Sequence, residues 1–263
     1  MLKVIDVSNH QDGLNLSSLT ADAFIFKLTE GNYFHDKSAP SFIKQAKALN
    51  KPFGLYHFLD GQPIKEQAAF FLEAARPYIG EALFVLDYES YGKQGPKAAK
   101  EFLDIIYHET KIRPLIYMNE SDANEVDWSE VIEGNYGLWV AKYSSNLPNV
   151  PQWKEYAMWQ YTSYPLDTSH FYGDLVAWQK YATPEGNESQ NYHTKGIRFK
   201  ALKDLIIKAD ETFKKDTSLL FSKSTVFDIE SICHTQTTTH GRILYNHCEV
   251  FVTLHKDYVA KIE

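Results

Sequence analysis

The sequence predicts an α/β chain: a (β/α)-barrel over residues 1–182, followed by a small all-β barrel module. Three observations lead there. Short apolar runs alternate with amphipathic helical stretches through about 180 residues, the pattern of a barrel or an open doubly wound sheet. Those runs are hydrophobic almost without interruption, as parallel strands covered on both faces must be. Beyond Thr183 the alternation gives way to turn-rich sequence and then to short bursts of β-branched and aromatic residues, which read as strands of a small barrel.

Taken in order, the strand runs are 3–7, 23–27, 52–56, 83–87, 114–117, 137–141 and 157–161, with a weaker eighth around Leu166 and Asp167. A helix is expected over 38–50, with Ser38 as cap and an early Pro40. A second, over 63–76, carries Ile64, Ala68, Phe71, Leu72 and Ala75 on one stripe, and a third, over 96–110, carries Ala99, Phe102, Leu103, Ile106 and Tyr107. Residues 121–132 form a weaker pattern. Residues 183–215 read as a linker, with 199–213 a short amphipathic helix or structured connector. The module occupies 216–263, with strand bursts at 224–229, 242–245 and 249–254.

Composition excludes several classes of function. A net charge of −7, from 27 Lys and Arg against 34 Asp and Glu, leaves no basic surface for a nucleic-acid partner. No apolar run reaches membrane-spanning length, so membrane insertion is not expected. The amino-terminal residues enter a strand directly, with no secretory leader pattern, which predicts synthesis in the cytoplasm. Cys233 and Cys248 lie near the carboxyl end and the first two hundred residues contain none, which suits a reducing compartment. The pair reads as free thiols or as a disulfide formed after release. GxGxxG and GxxxxGK[ST] loops are absent, and no cofactor is expected. His234, His240, His247 and His255 share the module with both cysteines, but without CxxC or HxxxH spacing, so no metal is expected. Aromatics make up 14%, a surplus that either fills a core or faces sugar rings.

The chemistry is expected where acids meet strand ends. Asp6 closes the first strand, Asp87 and Glu89 the fourth, and Asp167 lies near the eighth. In a parallel barrel the carboxyl ends of all strands open into one bowl. Asp87 and Glu89 are two residues apart, so extended backbone puts both carboxyls on one face. Crowded carboxyls cannot all ionise; one keeps its proton towards neutral pH and can act as an acid. Glycoside cleavage requires such a group on the leaving oxygen, and negative charge beside the oxocarbenium-like transition state.

The segments Asp6-Val7-Ser8-Asn9-His10-Gln11, Lys27-Leu28-Thr29-Glu30-Gly31, Gly54-Leu55-Tyr56-His57-Phe58, Leu86-Asp87-Tyr88-Glu89, Leu138-Trp139-Val140-Ala141-Lys142-Tyr143 and Trp159-Gln160-Tyr161-Thr162 resemble, in order and spacing, the strand-end motifs of glycoside hydrolase family 25. The resemblance covers residues 1 to about 182. It implies a β/α-barrel lysozyme that cleaves between N-acetylmuramic acid and N-acetylglucosamine in bacterial cell-wall peptidoglycan. It implies Glu89 as general acid and Asp87 as its partner, orienting the acetamido group or supporting positive charge, with Asp6 and Asp167 completing the bowl. Where the family shows Asp-x-Asn, this chain has Asp167-Thr168-Ser169, and Asp174 competes for the same assignment. Tyr56, Tyr117, Trp139 and Trp159 are candidate platforms for sugar rings, with about half of them expected to serve mainly as barrel packing, and Glu30 is a candidate substrate contact or salt-bridge partner. His10 and His57 read as hydrogen-bonded scaffold.

The module resembles Src-homology-3-like wall-binding barrels through Ser224-Thr225-Val226-Phe227, Tyr245-Asn246 and Lys256-Asp257-Tyr258-Val259. That implies a wall polymer as its partner, bound without simple attraction of a basic patch to an anionic polymer. The whole reads as a phage endolysin that acts outside the membrane on the wall of its host. The alternatives are a glycan-binding barrel without catalysis and a different glycosidase acting on N-acetylglucosamine polymers.

Overall fold

A computed structural model describes residues 1–185, 192–193, 195–210, 215–234, 239–246 and 248–262. The chain divides into two compact units, Met1–Pro184 and Glu185–Glu263.

In the first unit, β1 (Leu2–Val7), β2 (Ala23–Glu30), β4 (Phe53–Phe58), β5 (Ala82–Asp87), β6 (Leu115–Asn119), β7 (Gly137–Ala141), β8 (Met158–Thr162) and β9 (Thr168–Phe171) close into an eight-stranded barrel, β1 pairing with both β2 and β9. A short β3 (Phe34–His35) adds to β2 from outside. Alternation sorts the side chains. Val4, Ala23, Ile25, Leu83, Val85, Leu115, Met158 and Phe171 fill the barrel. Ile5, Phe24, Phe26, Phe84, Leu86, Ile116, Leu138 and Val140 face outward, against Phe42, Phe71, Leu72, Phe102 and Ile106 of the helices. Gly54 belongs to the inward set, and a Cβ there would meet Leu83 Cδ1 at 2.8 Å. Its bareness leaves room for Leu83. Helices α1 (Ala39–Ala48), α2 (Ile64–Ala75) and α3 (Pro96–Thr110) lie where the periodicity put them.

Three expectations are corrected. The eighth barrel strand is not parallel: β9 begins after Asp167 and runs antiparallel to β8 and β1. Only the turn 163–167 separates β8 from β9, and a parallel return needs about a dozen residues or more. The helix expected over 121–132 is two, α4 (Glu120–Glu125) and α5 (Ser129–Glu133). Trp128 interrupts them, wholly buried, its indole N–H donating to the Asp122 carbonyl at 2.9 Å. The described part of the stretch 199–213, residues 199–210, is no helix. It supplies β10 (Arg198–Ala201) and β11 (Leu205–Lys208), with Phe199, Ala201, Leu205 and Ile207 buried, while residues 211–214 lie outside the described residues. Helix α6 (Leu175–Ala182) then packs Trp178 and Ala182 against the interior residues at the amino-terminal ends of the strands.

The second unit contains two antiparallel sheets, ordered β13-β10-β17 and β12-β11-β16-β15-β14. The added strands are β12 (Asp216–Phe221), β13 (Val226–Asp228), β14 (Ser231–His234), β15 (Thr239–Tyr245), β16 (Cys248–Thr253) and β17 (Val259–Lys261). Phe199, Ile207, Phe227, Val252, Leu254 and Val259 form their common core. Cys233 and Cys248 are free thiols. His247 and the side chain of His234 lie outside the described residues, as does most of the linker stretch 184–191. Among the described residues no helix is long and apolar enough to cross a membrane, and no cluster of three His, Cys, Asp or Glu is arranged to hold a metal.

Candidate active site

The carboxyl-terminal ends of the parallel strands surround a cavity of about 180 Å³ lined by Asp6, Tyr56, Asp87, Glu89, Tyr117, Trp139, Tyr143, Gln160 and Asp167. Strand parity explains most of this set. Asp6 continues the inward series of Val4, Asp87 that of Leu83 and Val85, Tyr117 that of Leu115, and Gln160 that of Met158. Asp167 arrives differently. As the residue before an antiparallel strand it sits at that strand's amino end, which lies on the same side as the carboxyl ends of the others. Its carbonyl accepts the Asp6 N–H at 3.2 Å, which locks the turn to β1. Asp174 lies beyond the far end of β9 and caps α6, accepting the Ala177 N–H at 2.8 Å. The choice between these two acids therefore falls on Asp167.

All four carboxyls hold their protons more tightly than in water. Burial raises Asp6 to about 8, assisted by the charges of Asp167 and Glu89 and opposed by a hydrogen bond from Gln160. Burial and then Glu89 push Asp87 well above the usual carboxylate range, against the opposing charge of Lys27. Glu89 is raised by burial, Asp167 and Asp122, and Asp167 by burial. The four cannot all be charged near neutrality, so the site holds protons in common. Asp87 Oδ1 is buried without a hydrogen-bond partner. A bare buried oxygen is costly as an anion, which favours the protonated acid until a hydrogen-bond donor reaches Oδ1 and steadies the carboxylate.

Gln160 and Tyr143 were not anticipated as site residues. Tyr117 and Tyr143 donate their hydroxyls to Gln160 Oε1 at 2.8 and 2.9 Å, and Gln160 Nε2 donates to Asp6 Oδ1 at 3.0 Å. One amide thus ties two aromatic walls to one acid. The signal was present in the sequence: Gln160 has the parity of Met158, and an inward polar residue near a strand end points to a site. Trp139, across an edge-on contact with Tyr117, donates its indole N–H to Ser169 Oγ at 3.0 Å. The residue standing in the family's Asn position therefore orients a cavity wall.

Two expected substrate contacts are not in the cavity. Trp159 has the opposite parity to Gln160; it is 6% exposed, packs against Tyr161 and His170, and donates to the Lys142 carbonyl at 2.9 Å. It is structural packing. Glu30 is engaged by Lys27 Nζ at 2.5 Å and by the Tyr91 hydroxyl at 2.7 Å, and these donors lower its proton affinity. Lys27, buried, also lies 4.7 Å from the centre of the Phe58 ring. His57 is scaffold. The Gln67 amide donates to the carbonyls of Asp60 and Gln62, so Oε1 faces His57 Nε2, which must donate to it at 3.1 Å; Nδ1 then accepts the Thr29 hydroxyl at 2.8 Å. Burial lowers this imidazole to about 4, so it stays neutral. His10 is exposed on the turn after β1.

Comparison with known proteins gives a consistent answer. Residues 5–170 match the family described as glycosyl hydrolases family 25. Among solved structures, the chain is similar to the CTP1L endolysin, at 27% identity and a TM-score of 0.55, over 68% of this chain and 70% of that one. It is similar to a family 25 lysozyme from Aspergillus fumigatus, at 26% identity and a TM-score of 0.56, over 69% and 99%. A family 25 glycosyl hydrolase from Bacillus anthracis shares the fold at 18% identity and a TM-score of 0.57, over 70% and 94%. No curated protein matches the sequence at a significant level.

Proposed function

The chain belongs to glycosyl hydrolase family 25 and is a glycoside hydrolase; from that premise we propose that it is an N-acetylmuramidase that cleaves the β-1,4 bond between N-acetylmuramic acid and N-acetylglucosamine in bacterial peptidoglycan. The observation that carries the reading is the shared cavity of Asp6, Asp87, Glu89 and Asp167, walled by Tyr56, Tyr117 and Trp139. The rings suit the apolar faces of sugars, and the acids suit cleavage of an acetal. Similarity to a lysozyme and to an endolysin supports the choice of polymer.

In this mechanism Glu89, half-buried and raised by its neighbours, enters protonated and delivers its proton to the glycosidic oxygen as the bond to C1 breaks. The carbonyl oxygen of the muramic acid acetamido group closes on C1 from the other face, in a substrate-assisted step. Asp87 receives the acetamido N–H on its otherwise unpartnered Oδ1 and supports the positive charge that develops there. Asp167 keeps the local field negative, while Asp6, held by Gln160, shares its proton with the other acids. Glu89, now a carboxylate, takes a proton from water as its oxygen attacks C1; the ring opens with a reducing-end muramic acid and Glu89 is reprotonated.

The role extends to the rest of the chain. The second unit, with its two antiparallel sheets, is proposed as a Src-homology-3-like barrel that holds a wall polymer, and the whole as a phage endolysin, made in the host cytoplasm and acting on the wall beyond the membrane.

Digestion of purified peptidoglycan by wild type and Glu89→Gln tests the reading. New reducing ends of muramic acid from wild type only are expected, with loss of about a thousandfold in the variant. Reducing-end glucosamine would make it a glucosaminidase. Free amines without reducing ends would make it an amidase or peptidase, and binding without any cleavage a glycan-holding barrel.

A further inference from the structure

Beside the acid cavity the barrel has a second, wider depression of about 790 Å³, lined by Glu120, Ser121, Asn124, Glu125, Lys142 and Asn149. Its place follows from the strands. Glu120 directly succeeds Asn119, the last residue of β6, and Lys142 succeeds Ala141, the last of β7. These are the two strands whose Tyr117 and Trp139 wall the acid cavity, so groove and cavity are neighbours on one face. The junction is braced by the Lys142 N–H, which donates to the Gln160 carbonyl at 3.0 Å.

The two hollows differ in chemistry. Four of the nine residues around the acids are aromatic; in the groove none is, and all six are polar or charged. Such a surface offers a sugar no ring to stack on, whereas a short peptide with backbone amides and an amine meets hydrogen-bonding groups and the excess negative charge of Glu125. The floor is built: Lys142 Nζ donates to Glu120 Oε1 at 2.9 Å and to the Leu147 carbonyl at 3.1 Å, Asn149 N–H donates to the same carboxylate oxygen at 2.5 Å, and Asn124 Nδ2 bridges the carbonyls of Glu120 and Asn149 at 2.9 and 2.8 Å. With those groups fixed, α4 presents Ser121 and Glu125 on its exposed side to an incoming chain.

We propose that this groove holds the stem peptide of the substrate, the peptide that muramic acid carries on its lactyl group, so that the enzyme reads peptide and sugar together. The inference rests on the muramidase reading. A sugar seated against Tyr117 and Trp139 would project its side substituent across the ends of β6 and β7, towards Glu120 and Lys142. Glu125 would pair with the amine of a diamino acid in the peptide, while Lys142 stays bound to Glu120 as part of the floor.

The test compares intact peptidoglycan with the same glycan stripped of stem peptides by an amidase, scoring new reducing ends at matched sugar concentration. Wild type should cleave the intact polymer with kcat/KM about tenfold higher, equivalent to one good charged contact. Ser121→Trp, which obstructs the groove, and Glu125→Lys, which reverses its charge, should each reduce cleavage of the intact polymer to the level of stripped chains. Both positions are exposed, and unchanged cleavage of stripped chains certifies the fold. Equal rates of wild type on the two polymers, or variants that keep the wild-type preference, would overturn the proposal. Failure of wild type to cut either polymer would instead overturn the muramidase reading, and this inference with it.

Discussion

Gln160 reaches across the barrel mouth to Asp6, its amide nitrogen 3.0 Å from the carboxyl, while its carbonyl receives the hydroxyls of Tyr117 and Tyr143. A single side chain therefore couples the protonation of a buried acid to the position of two rings that line the cavity. Gln160→Leu keeps the volume and deletes every one of these bonds. Loss of the donor raises Asp6 further, because the bond from Gln160 lowers it now. With the buried Tyr117 hydroxyl left unpaired and Tyr143 released from its tether, kcat/KM should fall by roughly 10- to 100-fold. Steady-state kinetics on peptidoglycan check this; an unchanged rate would mean that the network is not used.

Asp6 makes stability depend on pH. Its folded value of about 8 stands above the ordinary 3.8, so the folded chain binds this proton more tightly than the unfolded one. The stabilisation is complete below about pH 4 and is lost as pH rises towards 8. Asp6→Asn stays neutral throughout. At ~1.36 kcal/mol per pH unit the span allows at most roughly 6 kcal/mol, and sharing of protons among four acids reduces the expected gain of the variant over wild type between pH 4 and pH 8 to about 2 kcal/mol. Denaturant unfolding at the two pH values measures it. A gain that is absent or of opposite sign would contradict the burial of this acid.

Lys27 is the cation that opposes proton binding by Asp87 and Glu89. Lys27→Met removes the charge and keeps the stem against Phe58. Both acids then hold protons to higher pH, and the alkaline limb of the pH–kcat/KM profile should move upward by about half a unit or more. Glu30, left without Lys27, would keep only its bond from Tyr91.

Trp159 separates packing from substrate binding. Trp159→Ala should cost about 3 kcal/mol of stability with KM nearly unchanged, because its ring lies outside the cavity. Trp139→Ala, at a cavity wall, should raise KM. Thermal unfolding and kinetics on the pair decide between the two roles.

How far the sequence revealed this arrangement depended on which physical signal was local. The acids were legible because strand ends are: Val4-Ile5 and Phe84-Val85-Leu86 are apolar runs that stop at Asp6 and Asp87. The direction of β9 was not legible from hydrophobicity; it follows from the short turn 163–167. Trp159 lies near a strand end yet packs outside the cavity because parity decides which side chain turns inward, and the same rule places Gln160 in the site. In 199–213 the turn at 202–204 offsets two period-two strands so that their apolar residues mimic a helical stripe. Lys27 joined the site through its pairing with Glu30 and its stacking on Phe58, contacts that strand pairing creates.

The central claim is that Asp6, Asp87, Glu89 and Asp167 titrate as one group. Carbon NMR of the side-chain carboxyls, followed from pH 3 to pH 9 in wild type and Glu89→Gln, tests it most directly. The expected result is that all four carboxyls titrate above the ordinary carboxylate range, Asp6 near 8, and that Asp6 and Asp87 both move down when Glu89 loses its charge. Independent titration of all four in the ordinary carboxylate range, indifferent to Glu89→Gln, would contradict it.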